Sequence, residues 1–443
     1  MMKPETEIST LRGLLALSPV VVFMLLYVGV SVALGDFYKM PVSVALLTAS
    51  VWSILIFRGP SLSQRIETFS KSAGNPGILY MIWVFILAGA FAALAVHIGA
   101  VEAMVNMILS IFPAHFVAPM LFVSACLISF SIGTSVGTVV ALAPLAVQMS
   151  AETGALLPLL IGAVLGGAFF GDNLSFISDT TIAATRSQGC DMSDKFRANA
   201  LIAIPAAVIT LGFYLWQSAA TDAAPHPAEH VDYLLMVPYL VVILAAISGI
   251  NVCIVLTGGI ITGIGVGLWG GYGIFDLTAA MGGGVDGMGD LIIITLLASG
   301  MLGIIKAGGG IRFLLERLTR HAAGSRRIQG VIVIIVSLVN LCTANNTVAI
   351  ITVGGIARDI AAPYHIAPRK VASLLDTASC IVQCLIPYSA QTLLATQLAG
   401  LSPAAPFRYL YYPWALAAMV VLSIIFINPK NSAARDKDLE ENA

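Results

Sequence analysis

Charge is what this chain has least of. Only 10% of its 443 residues are charged while 58% are hydrophobic, against about 25% charged in a soluble globular domain. That scarcity excludes a soluble domain and points to a polytopic membrane protein whose first partner is the lipid bilayer. With 22 Lys and Arg against 23 Asp and Glu, no basic excess is present, and no nucleic-acid partner is expected. Cysteine is scarce too. The six (Cys126, Cys190, Cys253, Cys342, Cys380 and Cys384) lie in or beside apolar runs and lack zinc-ligand spacing with histidine, so packing is their expected role. No cofactor is expected. The first apolar run, Leu14 to Leu34, lacks a small-x-small cleavage site and exceeds a signal-peptide core, so it reads as a retained helix.

Apolar runs of roughly twenty residues recur from end to end, each long enough to cross a hydrocarbon core about 30 Å thick. Spanning helices are expected, because unpaired backbone groups in lipid cost several kcal/mol each. The spans predicted are 13–34, 41–57, 77–97, 157–185, 198–217, 232–249, 251–269, 289–306, 371–398 and 409–428. Two further apolar stretches, 115–149 and 328–361, are interrupted by the small polar runs GTSVGT (133–138) and TANNT (343–347). Each reads as a re-entrant hairpin, since irregular backbone at membrane depth is tolerated only beside a cavity.

The second set of elements repeats the first after about 210 positions: LAGAFAALA at 87 matches LASGMLGII at 297, and one hairpin tip matches the other. Five crossings and one hairpin per half make the second half upside down relative to the first. The expected fold is therefore all-α, with two inverted repeats of five transmembrane helices plus one re-entrant hairpin each, and broken helices at the midplane. Its segments are a first repeat over 1–218, an external linker over 219–231, a second repeat over 232–430 and a polar cytoplasmic tail over 431–443. Inverted repeats are a transporter architecture with the site near the midplane.

Loop charge orients the chain. On these spans 19 of the 22 Lys and Arg, Lys195 among them, fall on the side of the termini, and cytoplasmic loops collect Lys and Arg. Both termini are therefore expected in the cytoplasm, with the first hairpin opening from outside and the second from the cytoplasm. The glycine-rich stretch 270–290 has no Lys or Arg and reads as an external loop. Segments 99–112 and 310–320 are polar on one face and read as interfacial helices.

The stretch GDNLSFISDTT (171–181) places Asp172 and Asp179 inside the span 157–185. An aspartate at a helix centre costs about 2.5 to 3.5 kcal/mol on insertion scales, so intramembrane acids read by default as ion or proton sites. Both are expected ligands of sodium. Gly166, Gly167 and Gly171 lower helix stability and would let the helix unwind, exposing carbonyl oxygens suited to a hard cation. Asn173, Ser175 and Thr180 would add ligands. The matching region of the second half, DTASCIVQCLIPYSAQT (376–392), offers Asp376, Gln383, Ser389 and Gln391, with Pro387 to break the helix. The hairpin tips add Thr134, Ser135 and Thr138 from one side, and Asn345, Asn346 and Thr347 from the other. His97 and Lys306 stand at span ends, where both can snorkel.

GTSVG (133–137) also matches the G-x-S-x-G pattern of serine hydrolases, but no histidine stands in a partnering position, so an enzyme is not expected. GDNLSFISDTT instead resembles the motif of the NhaC-type sodium/proton antiporter family, roughly G-D-K-L-S-P-x-S-D-T-T. That family is part of a wider ion-transporter superfamily that includes citrate and dicarboxylate carriers. Asn173 replaces the usual lysine and Phe176 the usual proline, which removes a counter-charge for Asp172 and leaves room for a bound cation or a proton. The resemblance implies a bacterial inner-membrane protein that exchanges sodium for protons. It also implies a homodimer in which a fixed scaffold supports a moving unit. A second reading is an ion-coupled carrier of a small organic acid or amino acid, whose solute would sit on the polar tips.

Overall fold

The computed structural model describes residues 10–30, 33, 40–111, 113, 116–175, 178–219, 232–248, 250–319 and 324–426. Most of the linker 219–231 and the whole tail 431–443 lie outside the described residues. All regular structure in the described part is helical, and nine helices there are long and apolar enough to cross a membrane. The chain is a multi-pass, all-α membrane protein.

In the first half the helices are α1 (Thr10–Met24), α2 (Val42–Ile56), α3 (Leu62–Ala73), α4 (Pro76–His97), α5 (Ala100–Ile111), α6 (Val117–Ile132), α7 (Ser135–Thr153), α8 (Leu157–Leu174), α9 (Asp179–Gln188) and α10 (Met192–Ala219). The second half has α11 (Val237–Ile247), α12 (Val252–Trp269), α13 (Ile274–Gly287), α14 (Gly289–Ala307), α15 (Gly310–Thr319), α16 (Ser325–Thr343), α17 (Asn346–Ala361), α18 (Pro368–Leu385), α19 (Ala390–Leu398) and α20 (Tyr411–Phe426).

One expectation is corrected. The glycine-rich stretch 270–290 is not an open loop, because it holds helix α13. Glycine weakens a helix in water, but here it allows close packing, a use of small residues common between membrane helices. A Cβ on Gly284 would lie 2.1 Å from the Gly89 carbonyl oxygen, and one on Gly89 would lie 2.3 Å from that of Gly284, so α13 and α4 touch backbone to backbone. The amphipathic α3, also not foreseen, packs on α14 in the same manner. There Ser72 and Ser299 exchange hydroxyl-to-carbonyl hydrogen bonds of 2.8 Å each. Each half thus lends a helix to the other.

Local geometry recurs at a constant 211 positions. The hairpin turns are Gly133 (φ 73°) followed by extended Thr134, and Ala344 (φ 48°) followed by extended Asn345. Ser129 Oγ donates to the Ala168 carbonyl at 2.5 Å, and Asn340 Nδ2 to the Ser379 carbonyl at 2.7 Å. Ser178 caps α9 through Thr181 N, and Ser389 caps α19 through Thr392 N. Gly189 (φ 67°) and Gly400 (φ 62°) follow those helices in left-handed backbone. In every pair the second residue number exceeds the first by 211.

The site is framed by exchange between the halves. Helix α9 packs on α17 and α18, and α19 packs on α7. Each broken helix therefore ends against the other half's hairpin.

Candidate functional site

Helix α8 remains intact through Gly166, Gly167 and Gly171 and stops at Leu174. The glycines serve contact rather than unwinding. A Cβ on Gly171 would fall 2.1 Å from Ser129 Oγ, and one on Gly167 would fall 2.5 Å from the Phe122 carbonyl oxygen, so α8 lies directly on α6. The helix breaks between Leu174 and Asp179; in the second half it breaks between Leu385 and Ala390, a gap that contains Pro387. Proline lacks the N–H that a continuing helix needs and pushes the preceding residue into extended backbone, as Ile386 shows (ψ 120°).

Asp172 lies in the last turn of α8, 5% exposed. Its Oδ1 accepts the backbone N–H of Ser135 at 3.0 Å and its Oδ2 accepts the Ser135 hydroxyl at 2.6 Å. Ser135 is the first residue of α7, so the carboxylate also faces the positive end of that helix. Gln391 Nε2 donates to Ser135 Oγ at 3.0 Å. Gln383 Nε2 in turn reaches Gln391 Oε1 at 3.1 Å and the Ala344 carbonyl at 2.8 Å. A continuous hydrogen-bonded path therefore joins the two hairpin turns through Asp172, Ser135, Gln391 and Gln383. Gln383 occupies, 211 positions on, the place of Asp172.

The other polar residues of the break are also bound. Ser178 and Thr180 hydroxyls donate to the Asp172 carbonyl at 3.0 and 3.1 Å, and Thr181 Oγ1 donates to the Ser175 carbonyl at 2.8 Å. Asn173 Nδ2 donates to the Phe169 carbonyl and to Tyr412 OH, both at 3.1 Å, while its Oδ1 is a buried acceptor without a partner among the described residues.

Asp179 does not join Asp172. It opens α9 exposed, and the hydrogen bonds around Asp172 do not include it. Thr138 is buried and turns back to the Thr134 carbonyl of its own helix start. Ser389 caps α19 and bonds Thr392 Oγ1 at 2.9 Å. Asn345 caps α17, Asn346 Nδ2 reaches only Cys380 Sγ at 3.9 Å, and Thr347 N donates to Asn346 Oδ1. His97 and Lys306 are exposed at the ends of α4 and α14. No group of three or more His, Cys, Asp or Glu with metal-holding geometry occurs among the described residues.

Asp376 is fully buried on α18, and beside it stands a residue that loop charge had placed in a cytoplasmic loop. Lys195 is 0% exposed. Its Nζ lies 2.7 Å from Asp376 Oδ2. Asn199, one turn further along α10, donates Nδ2 to the same oxygen at 2.7 Å. A signal was available in the sequence. Lys195, Asn199, Ala203, Ala206, Thr210 and Tyr214 follow one another at steps of three or four and are all buried. Extending the apolar stripe of α10 backwards puts Lys195 on the inner face.

The described residues thus hold two buried carboxylates, one paired with a cation and one not. A family model described as the Na+/H+ antiporter family matches the chain over residues 5–216 and 217–428. Among curated proteins, the chain is 23% identical over 429 residues to a malate-2H(+)/Na(+)-lactate antiporter of Bacillus subtilis (strain 168), a match covering 88% of this chain and 90% of that one. It is 26% identical over 421 residues to the Na(+)/H(+) antiporter NhaC of the same organism, covering 87% and 90%. It is also 23% identical over 357 residues to the arginine/ornithine antiporter ArcD of Halobacterium salinarum (strain ATCC 700922 / JCM 11081 / NRC-1), covering 70% and 72%.

Proposed function

We propose, for a chain that belongs to the Na+/H+ antiporter family, a secondary active exchange of sodium for protons in which Asp172 takes up the two ions in turn. The observation that carries this is the buried Asp172 carboxylate, which accepts hydrogen bonds from Ser135 and, among the described residues, has no cationic side chain bonded to it. A carboxylate with only two neutral donors keeps lone pairs free for sodium or for a proton. Either ion neutralises it, and the neutral site is far cheaper to carry through a low-dielectric region than a bare anion. Binding is exclusive because both ions need the same oxygens. Exchange follows if the site changes its exposure only when loaded.

Ser135 positions the carboxylate and links it to Gln391, so the first hairpin, its own broken helix and the opposite broken helix meet at the ion. The recurrence at 211 positions supports a repeat, and the inverted sense of its halves is part of the proposal. So are cytoplasmic termini, a bacterial inner-membrane location and a homodimer. Helices α3, α4, α13 and α14, locked by the Gly89–Gly284 and Ser72–Ser299 contacts, would form the fixed part.

A second reading rests on the neutral amides of the other half. Gln383 Oε1 is a buried acceptor without a partner, and the malate/lactate relative moves organic acids with sodium and protons. In that case sodium alone would not raise the melting temperature, and sodium with an organic acid or amino acid would.

The test is proton movement in proteoliposomes carrying an internal pH dye. A sodium pulse moves protons with the wild-type protein and none with Asp172→Asn, at equal insertion. Equal rates in both would exclude Asp172 as the exchange site.

A further inference from the structure

Lys195 Nζ has three oxygen partners: Asp376 Oδ2 at 2.7 Å, the Asn173 carbonyl at 2.8 Å and Thr181 Oγ1 at 2.6 Å. An ammonium has three protons, so its hydrogen bonds are complete. Its partners are a carboxylate, a main-chain carbonyl from the last turn of α8 and a hydroxyl from α9. That is an oxygen set a hard monovalent cation would select. The carbonyl belongs to a helix C-terminus, where the macrodipole favours positive charge. Nearby, the side-chain oxygens Asn173 Oδ1, Asn199 Oδ1 and Asp376 Oδ1 are buried acceptors without hydrogen-bond donors among the described residues. The second-half break has the same serine cap and threonine, but Pro406 stands where Lys195 would be matched. Among the described residues, the cation is thus supplied to one break only.

We propose that the Lys195 ammonium is a tethered cation filling an ion site at the first-half break. Asp376 is thereby kept out of cargo binding, and Asp172 is left as the one buried carboxylate available to the transported ion. The inference rests on the exchange reading of Asp172. It makes Lys195 a positioning residue that sets how many cations the protein can hold. Removing the ammonium leaves the Asp376 carboxylate, the Asn173 carbonyl and the Thr181 hydroxyl around a space that sodium can enter.

The experiment measures melting temperature of the full-length protein in sodium chloride against choline chloride at equal ionic strength. The wild-type protein is stabilised by sodium and Asp172→Asn is not. Asp172→Asn combined with Lys195→Met regains a sodium-dependent rise of about 2 °C or more, and adding Asp376→Asn removes it again. A folded, monodisperse double variant without a sodium response overturns the tethered-ion proposal, since a merely structural lysine would create no sodium site. A sodium response that survives in Asp172→Asn alone overturns the exchange reading, and the present proposal with it. Should the double variant not fold, anomalous diffraction from wild-type crystals soaked in thallium(I) decides the matter. A peak at Asp172 alone supports the proposal, and a peak among Asp376, Asn173 and Thr181 overturns it.

Discussion

The two helix breaks, at Leu174 and at Leu385, are alike in backbone and unlike in charge. Both follow a helix pinned to a hairpin, and both restart at a serine that caps the next helix and bonds a threonine three residues on. Yet one has Asp172 where the other has Gln383, and one receives the buried Lys195 while the other receives no cation among the described residues. The shared frame is the local geometry that recurs at 211 positions. The difference shows that the charge held in such a frame is set by a few side chains that can change without disturbing the backbone.

The largest expected effect comes from breaking the buried pair. Lys195→Met leaves Asp376 as a bare buried anion in sodium-free buffer, at a cost of about 3–5 kcal/mol. It should appear as a large drop in melting temperature, most of which Lys195→Met with Asp376→Asn recovers. If the single variant melts like the wild type, the pair is not a buried ion pair.

Next in size is the contrast between the two hairpin starts. Ser135→Ala removes the hydroxyl bond to Asp172, and a hydrogen bond to a charged group is worth about 1.5–3 kcal/mol. The sodium concentration for half-maximal exchange should rise roughly tenfold or more. Asn346→Ala at the equivalent position loses the long contact to Cys380 Sγ and the local bond from Thr347 N, neither of which involves a charged group, and should shift it by about twofold at most. Equal effects would mean that the two tips share the ion equally.

The smallest effect is expected at Asp179. Because it is exposed and outside the hydrogen bonds of Asp172, Asp179→Asn should change stability by no more than about 0.5 kcal/mol and leave exchange near wild-type rates. A variant as inactive as Asp172→Asn would return Asp179 to the ion site.

Much of this was legible in the sequence, for definite reasons. Asp172 stood out because a carboxylate in an apolar run is costly, and the hairpin turns because small polar residues interrupt two such runs. The recurrence of local geometry had its trace in segments that match at a near-constant offset, and Pro387 marked the second break. Contacts between distant segments were not legible. Lys195 sits in a polar stretch with Asp191, Asp194 and Arg197, so its local composition reads as a loop, and only its phase on α10 puts it inside. Gly167 and Gly171 look like helix breakers until α6 is seen lying against them. Helix α13 was hidden by glycines that serve its crossing with α4. Asp179 is seven residues from Asp172, but it is exposed and outside the hydrogen bonds of that carboxylate.

Competition of sodium and a proton for one carboxylate is tested most directly by sodium affinity as a function of pH, measured by calorimetry on the purified protein. Below the pH at which the free site loses its proton, each unit of pH increase should tighten apparent sodium binding about tenfold, one proton leaving for each sodium bound. Asp172→Asn should show no such dependence. A sodium affinity that stays constant across pH, or a pH dependence that survives in Asp172→Asn, would contradict exchange at Asp172.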